Sequence, residues 1–398
     1  MPDLTRVPRV AVNASLLSPT ADYRAAGIHR YLLGLVTALA DAGEVDLTAF
    51  VSGDAVRALL PASVTVRRMP AWAHGRLGRI AWEQLGLPLD LSRTGAALLH
   101  SAAYAVPALG RTPSVATVHD LSFFRMPAAF PRLQGQYLRL ATRLAARRAA
   151  ALIAVSEFTA RELVATTGVP ARRVHVVHNG VDGSFRPLPP AELADWRASA
   201  GFGAPYLLTV GTLQPRKNLG TLLAGYAELV RRLPEAPELV VAGAAGWGKE
   251  DPRARAAELG LAGRVRFCGY VPAADLPALY GAALGFALPS LYEGFGLPVV
   301  EAMACGTPVV VAAASCLPEI AGNAALSAGP DDVAGWAAAL ATLVTDPARR
   351  AALADAGRRR AARFTWTRAA QETAAVYRQV LADKAAMTTG WEAADRAR

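Results

Sequence analysis

Two acids, Glu293 and Glu301, stand with seven residues between them in the run Glu293-Gly294-Phe295-Gly296-Leu297-Pro298-Val299-Val300-Glu301-Ala302-Met303-Ala304-Cys305-Gly306-Thr307-Pro308. Two carboxylates so close could share acid–base work, or accept hydrogen bonds from a polyol. The apolar run 285–288 before them reads as a buried strand. Gly294 and Gly296 let backbone N–H groups approach a ligand, and Pro298 suits a helix start, where its missing N–H costs nothing. Gly306 and Pro308 stop that helix. Glu293 is therefore expected in a loop at a strand's carboxyl end, and Glu301 in the first helical turn. Both would aim at one site, where a helix N-terminus favours an anion. Alone, Glu301 reads more simply as an acid that stabilises the helix dipole, by about 0.3–1 kcal/mol.

A second group is Gly211-Thr212-Leu213-Gln214-Pro215-Arg216-Lys217-Asn218-Leu219, between a strand and a helix for which Asn218 is the expected N-cap. Arg216 and Lys217 then flank a helix N-terminus. Two cations there suit a diphosphate, with charge-assisted hydrogen bonds of about 1.5–3 kcal/mol each. A third group, Thr117-Val118-His119-Asp120-Leu121, puts His119 at a strand's carboxyl end with Asp120 as its expected orienting neighbour. The chain has no Asp-x-Asp and no clustered His at ligand spacing. Arg216, Lys217 and helix dipoles are thus expected to stabilise a departing charge without a metal or other cofactor.

These residues need elements to hold them. In the first half, β-branched runs at 9–13, 45–51, 64–68, 97–100, 114–118, 151–155 and 174–177 alternate with Ala/Leu/Arg segments of helical length. The pattern restarts with strands at 206–210, 239–242, 265–268, 285–288 and 309–311. Strands alternating with helices predict an α/β chain with parallel sheets and crossover helices. The seam is Phe185-Arg186-Pro187-Leu188-Pro189-Pro190, which suits a linker. The expected units are 1–186, 187–365 and a C-terminal helix with tail at 366–398, the helix packing back on the first unit. From 383 onward no apolar face is clear, and fraying is expected.

Of the 398 residues 53% are hydrophobic and 19% charged, which suffices for two cores and argues against disorder. Val10–Val12 followed by Asn13 is too short an apolar run for a secretory signal. The longest apolar stretch, 299–317, is broken by Glu301, Gly306 and Pro308, so no bilayer-spanning helix is expected. Three cysteines, Cys268, Cys305 and Cys316, without Cys-x-x-Cys spacing fit a reducing cytoplasm. The net charge is +10, and residues 1–186 hold 21 Arg and no Lys against 12 acids. So basic a half attracts an anionic partner, or is an Arg-rich solvated surface; the two readings weigh equally.

The run from Glu293 to Pro308 resembles the two-glutamate signature of the retaining glycosyltransferases of family 4, which have the GT-B architecture: two Rossmann-like domains facing across a cleft. Further matches are Gly211-Thr212-Leu213 with Pro215-Arg216-Lys217-Asn218-Leu219, Thr117–Leu121 and His178-Asn179-Gly180-Val181-Asp182. Gly27-Ile28-His29-Arg30-Tyr31 is another, with His29 where the family often has a second glycine. The resemblance runs from about Val10 to Tyr377. It implies that Glu301 binds the donor's ribose hydroxyls, Glu293 the transferred sugar, and Arg216 and Lys217 the diphosphate. It places His119 by the anomeric carbon, the 294–297 loop and Gly211 at the donor, and Gly27 and Arg30 near donor phosphates and acceptor. Loops at Gly243–Trp247 and Gly269–Pro272 would lie near the base; Tyr270 could stack on it, or equally be a core tyrosine. Ser156, before Glu157-Phe158-Thr159, reads as a structural N-cap.

The implied activity is transfer of a hexose from a nucleoside diphosphate-sugar with retention. The leaving diphosphate would take the acceptor's proton, and a double displacement ranks second. The motifs at 27–31 and 119–123 and the 243–247 loop look most like bacterial mannosyltransferases of polysaccharide assembly. GDP-mannose is therefore the first donor expected, with UDP-glucose or UDP-N-acetylglucosamine behind it. The acceptor would be a glycan, lipid-linked or not, or a small molecule. The location would be cytoplasmic, with peripheral contact to an anionic membrane on its inner face as a weaker expectation. A nucleotide-sugar epimerase of the same fold is the rival enzyme; it would act on the donor alone. A nucleic-acid-binding protein is the rival from charge, but the basic residues are not interleaved with exposed aromatics and no binding motif appears. A dinucleotide oxidoreductase is disfavoured, since no Gly-x-Gly-x-x-Gly follows the first strand.

Overall fold

A computed structural model describes residues 7–18, 27–246 and 251–396, with side chains to residue 386. The β-branched runs form two wholly parallel sheets. The first contains β1 (Arg9–Asn13), β2 (Asp46–Val51), β3 (Thr65–Arg68), β4 (Leu98–Ser101), β5 (Ser114–Val118), β6 (Ala151–Ala154) and β7 (Val174–Val176), in the order β3-β2-β1-β4-β5-β6-β7. The second contains β8 (Leu207–Val210), β9 (Leu239–Ala242), β10 (Val265–Gly269), β11 (Gly285–Leu288), β12 (Val309–Ala312) and β13 (Ala325–Ala328), in the order β10-β9-β8-β11-β12-β13. Strand β13, only partly buried and with two alanines and a serine, escapes a pattern search for apolar runs. Central strands such as β5, β9 and β11 are buried at every position, as strands covered by helices on both faces must be.

Each sheet reverses its winding once, between β1 and β4 and between β8 and β11. Such a reversal opens a crevice at the strands' carboxyl ends, where α/β folds bind ligands. The loops after β8 and β11 carry Gly211–Lys217 and Glu293, so both groups straddle the crevice of the second sheet.

The Trp366–Arg396 helix returns to the first half. Its Ala369, Ala370, Ala374, Val376, Tyr377 and Val380 share one core with β1, β2 and the Gly27–Ala42 helix. The backbone is helical to Arg396. No helix among the described residues is long and apolar enough to cross a membrane.

Candidate active site

Glu293 sits beyond the end of β11 and is 7% exposed. Its Oε2 accepts from Arg216 Nη1 at 2.9 Å and its Oε1 from Lys217 Nζ at 2.5 Å. Arg216 also donates to the Tyr292 carbonyl at 3.0 Å, while its own carbonyl accepts from Leu291 N at 2.8 Å. The two loops are therefore laced together. Burial opposes ionisation of Glu293, but Arg216 and Lys217 more than offset it and hold its carboxyl at about 2. Burial alone would lower Arg216, and Glu293 reverses the sign; for Lys217 burial wins and the ammonium is held below its ordinary range. The residues expected to share out sugar and diphosphate thus form one ion cluster.

Asn218 stands at the N-cap position of the Leu219–Arg232 helix but does not cap it with its side chain. It is left-handed, at φ 53°, where the Pro215–Lys217 turn meets the helix. Its amide instead donates to the Pro330 carbonyl at 2.6 Å, and its oxygen accepts from Thr221.

Glu301 is the fifth residue of the Leu297–Ala304 helix, in the second turn rather than the first. The helix begins only after Gly296, at φ 84°, a conformation that disfavours side chains with a Cβ. Glu301 is 2% exposed, accepts from Tyr280 Oη at 3.0 Å, and pairs with Arg30 from the first half of the chain. Arg30 also lies 5.9 Å above the Phe185 ring. Tyr270, after β10, is 39% exposed. Gly27 opens the Gly27–Ala42 helix, with open space around it. Trp247 lies outside the described residues.

His119 directly follows β5 and faces the Glu293 loop. A Cβ on Gly294 would lie 1.6 Å from the His119 carbonyl oxygen, so only glycine lets the two halves meet there. The His119 ring is flanked edge-on by Tyr31 at 4.7 Å and Tyr104 at 6.0 Å. Burial lowers its pKa against the opposing pull of the Ala102 carbonyl and of Asp120, keeping the ring neutral. Its Nε2 lies 2.7 Å from the Ala102 carbonyl, which can only accept. The proton is thereby fixed on Nε2, leaving Nδ1 as an acceptor. Asp120 does not do the orienting expected of it. Its carboxylate accepts from Ser122 N and Oγ, at 2.9 and 2.7 Å, and turns the chain into the Ser122–Arg125 helix.

The amides of Gly294, Phe295 and Gly296 find no hydrogen-bond partner among the described residues, although all three residues are buried. Buried unpartnered amides are rare and point to a ligand. Gly211, at φ 155°, lets the Lys217 stem pass close by, and Leu297 opens the helix beyond the amide run. Tyr280, Ser315 (whose Oγ accepts from Glu293 N at 3.0 Å) and Ala102 were not legible in the sequence; each is an isolated residue, Tyr280 brought in by the Leu276–Gly281 helix and the other two by separate loops. Among the described residues no group of three or more His, Cys, Asp or Glu could hold a metal ion.

The family model described as glycosyl transferases group 1 matches residues 194–360, and that described as glycosyltransferase family 4 matches residues 25–185. Over 378 residues the chain is 32% identical to O-antigen chain mannosyltransferase B of Escherichia coli, covering 89% of this chain and 97% of that one. This chain belongs to the group 1 glycosyltransferases. Another relative in this group is the D-inositol 3-phosphate glycosyltransferase of Kribbella flavida, 31% identical over 94% of this chain and 96% of that one. Among solved structures, Anabaena HepE in complex with UDP and glucose superposes with a TM-score of 0.74 at 24% identity, over 94% of this chain and all of that one. The architecture of this glycosyltransferase is accordingly GT-B, with its charged cluster between the two Rossmann-like sheets.

Proposed function

We propose that this glycosyltransferase transfers a hexose, mannose first, from a nucleoside diphosphate-sugar to a hydroxyl of a glycan acceptor, with retention of configuration. The observation that carries this reading is the Glu293–Arg216–Lys217 cluster beside three buried, unpartnered amides. The two cations suit a diphosphate and the amide run suits the oxygens of donor sugar and phosphate. Tyr280 and Glu301 offer a hydroxyl and a carboxylate to the ribose. Neutral His119 brings an acceptor nitrogen toward the sugar. Glu293, already committed to two cations, is a poor covalent nucleophile, so the leaving diphosphate is assigned the acceptor's proton. Mannose as first choice rests on the Escherichia coli relative being an O-antigen chain mannosyltransferase. The complex of Anabaena HepE with UDP and glucose supports a nucleotide donor of this general kind.

A thermal-shift panel of GDP, UDP, ADP and dTDP, each with and without a divalent metal, tests the donor site. A nucleotide at 100 times its dissociation constant should add about 2.7 kcal/mol of stability. Silence for all four would remove the reading, and a strict metal requirement would remove its metal-free form.

The acceptor is assigned to an anionic membrane surface. Support comes from the excess Arg in residues 1–186 and from Leu77, Leu89, Leu109, Leu133 and Leu140 of that half, each more than 60% exposed. Salt-sensitive sedimentation with anionic liposomes is expected; no binding at low salt would send the assignment to a soluble acceptor.

A further inference from the structure

Ser156 looks like an ordinary helix cap, and its Oγ does accept from Thr159 N at 3.0 Å at the start of the Glu157–Thr167 helix. Its proton goes elsewhere. Ser156 Oγ donates to the Gly294 carbonyl at 2.6 Å, across the cleft, and Thr159 Oγ1 donates to the same oxygen at 3.2 Å. The hydrogens suffice for this pattern: the Thr159 amide serves Ser156, the two hydroxyl protons serve the two lone pairs of one carbonyl, and the 3.0 Å contact between Ser156 Oγ and Thr159 Oγ1 then carries no proton of its own. Ser156 and Thr159 are both fully buried. Their helix is itself held by the second half of the chain. The Glu319 carboxylate accepts from Glu157 N at 2.8 Å and Phe158 N at 2.9 Å, and His178 Nε2 lies 3.1 Å away. Burial disfavours the Glu319 charge, but His178 and the two amides overcome this and lower its pKa.

We propose that Ser156 and Thr159 are positioning residues for the donor sugar. The link is the geometry of one peptide. In a trans peptide the carbonyl and the following N–H point in opposite directions, and this chain has no cis peptide among its described residues. Two hydroxyls gripping the Gly294 carbonyl therefore aim the Phe295 N–H away from their helix. That amide is one of the three unpartnered ones. Glycine at 294 leaves the peptide free to rotate, so an external grip is needed to choose its orientation. The first half of the chain thus sets a donor contact made by the backbone of the second. The inference rests on the donor-site reading above, with the Phe295 N–H directed at the hexose, and adds that Ser156 and Thr159 set that direction.

The test compares binding of a nucleoside diphosphate with that of its hexose conjugate by calorimetry, using the GDP/GDP-mannose and UDP/UDP-glucose pairs and the full chain. Thr159→Val keeps the shape and the Ser156 cap but loses one donor. Ser156→Ala loses the other donor and the cap, and Ser156→Thr retains both functions. Thr159→Val and Ser156→Ala should each weaken the sugar conjugate about 5–10-fold, the worth of one neutral hydrogen bond. The bare diphosphate should change less than about twofold, and Ser156→Thr should recover the conjugate's affinity. Equal losses for both ligands, or no loss for either with Thr159→Val, would overturn the proposal and leave Ser156 a helix cap. Thr159→Val carries the decision if Ser156→Ala fails to fold. A wild-type chain that binds none of the four ligands would bring down the donor-site reading instead; binding by wild type without a sugar-specific loss in the variants brings down only this inference.

Discussion

The two glutamates of the signature run lie on one short segment, yet their surroundings differ. Glu293 finds both its cations on the neighbouring loop after β8, within one half of the fold. Glu301 pairs with Arg30, which arrives from the other half, and with Tyr280. The first cluster is built by a single sheet's switch point and needs no particular opening of the cleft. The second depends on how the halves face each other. If Glu301 accepts two ribose hydroxyls, as the proposed function assigns, it cannot keep all its lone pairs on Arg30, and donor binding and the Arg30 contact would compete. Glu293 belongs to a preorganised centre, which is where electrostatic stabilisation of a leaving group is effective. Glu301 belongs to an adjustable anchor.

The largest expected effect lies in the preorganised cluster. Glu293→Gln should lower kcat by about 10²–10³-fold, as loss of a preset electrostatic contact does. Retained turnover within a few-fold of wild type would show that Glu293 merely balances charge. The same cluster predicts acid sensitivity. Its carboxyl is near 2 when folded and near the ordinary 4.5 when unfolded, so the unfolded chain binds more protons between these values. Stability from this group is complete above about pH 5 and is lost as pH falls through 2, by about 3 kcal/mol in all. Urea melts of wild type and Glu293→Gln across pH 5 to 2 should converge; parallel curves would contradict it.

The anchor should respond more weakly, and with opposite signs at its two ends. Glu301→Ala should weaken the nucleoside diphosphate about tenfold while sparing inorganic pyrophosphate, since the ribose loses a charged hydrogen-bond acceptor. Equal losses for both would move Glu301 from the ribose to a general structural role. Arg30→Met should strengthen nucleoside diphosphate binding by about 2–5-fold, because a partly exposed ion pair that competes with the ribose has been removed. A clear loss of affinity would mean that Arg30 crosses to the donor's phosphates instead.

Much of this was legible before any fold was known. Strands such as 239–242 and 285–288 announce themselves by short unbroken apolar runs, because buried parallel strands must be apolar on both faces. Glu293, Arg216 and Lys217 are legible because they sit in loops between recognisable elements, where charge has few structural reasons to cluster. Glu301 was misplaced by one helical turn. The helix starts at Leu297, as the sequence indicates, and at 3.6 residues per turn its fifth residue already lies in the second turn. Asp120 was misassigned because sequence adjacency to His119 says nothing of where a carboxylate turns; the nearby Ser122 amide and hydroxyl captured it.

The linear chain by itself determined two parallel α/β units, the identity of the charged loop residues and the family they resemble. Those follow from local periodicity and from motifs whose parts are near in sequence. Only the tertiary structure decided which groups meet: Glu301 with Arg30, His119 with the Ala102 carbonyl, and the Gly294 carbonyl with Ser156 and Thr159. Each of these joins segments that are far apart along the chain or separate elements of the fold. Such contacts depend on strand order and on the approach of two sheets, and neither leaves a local periodicity in the residues that take part.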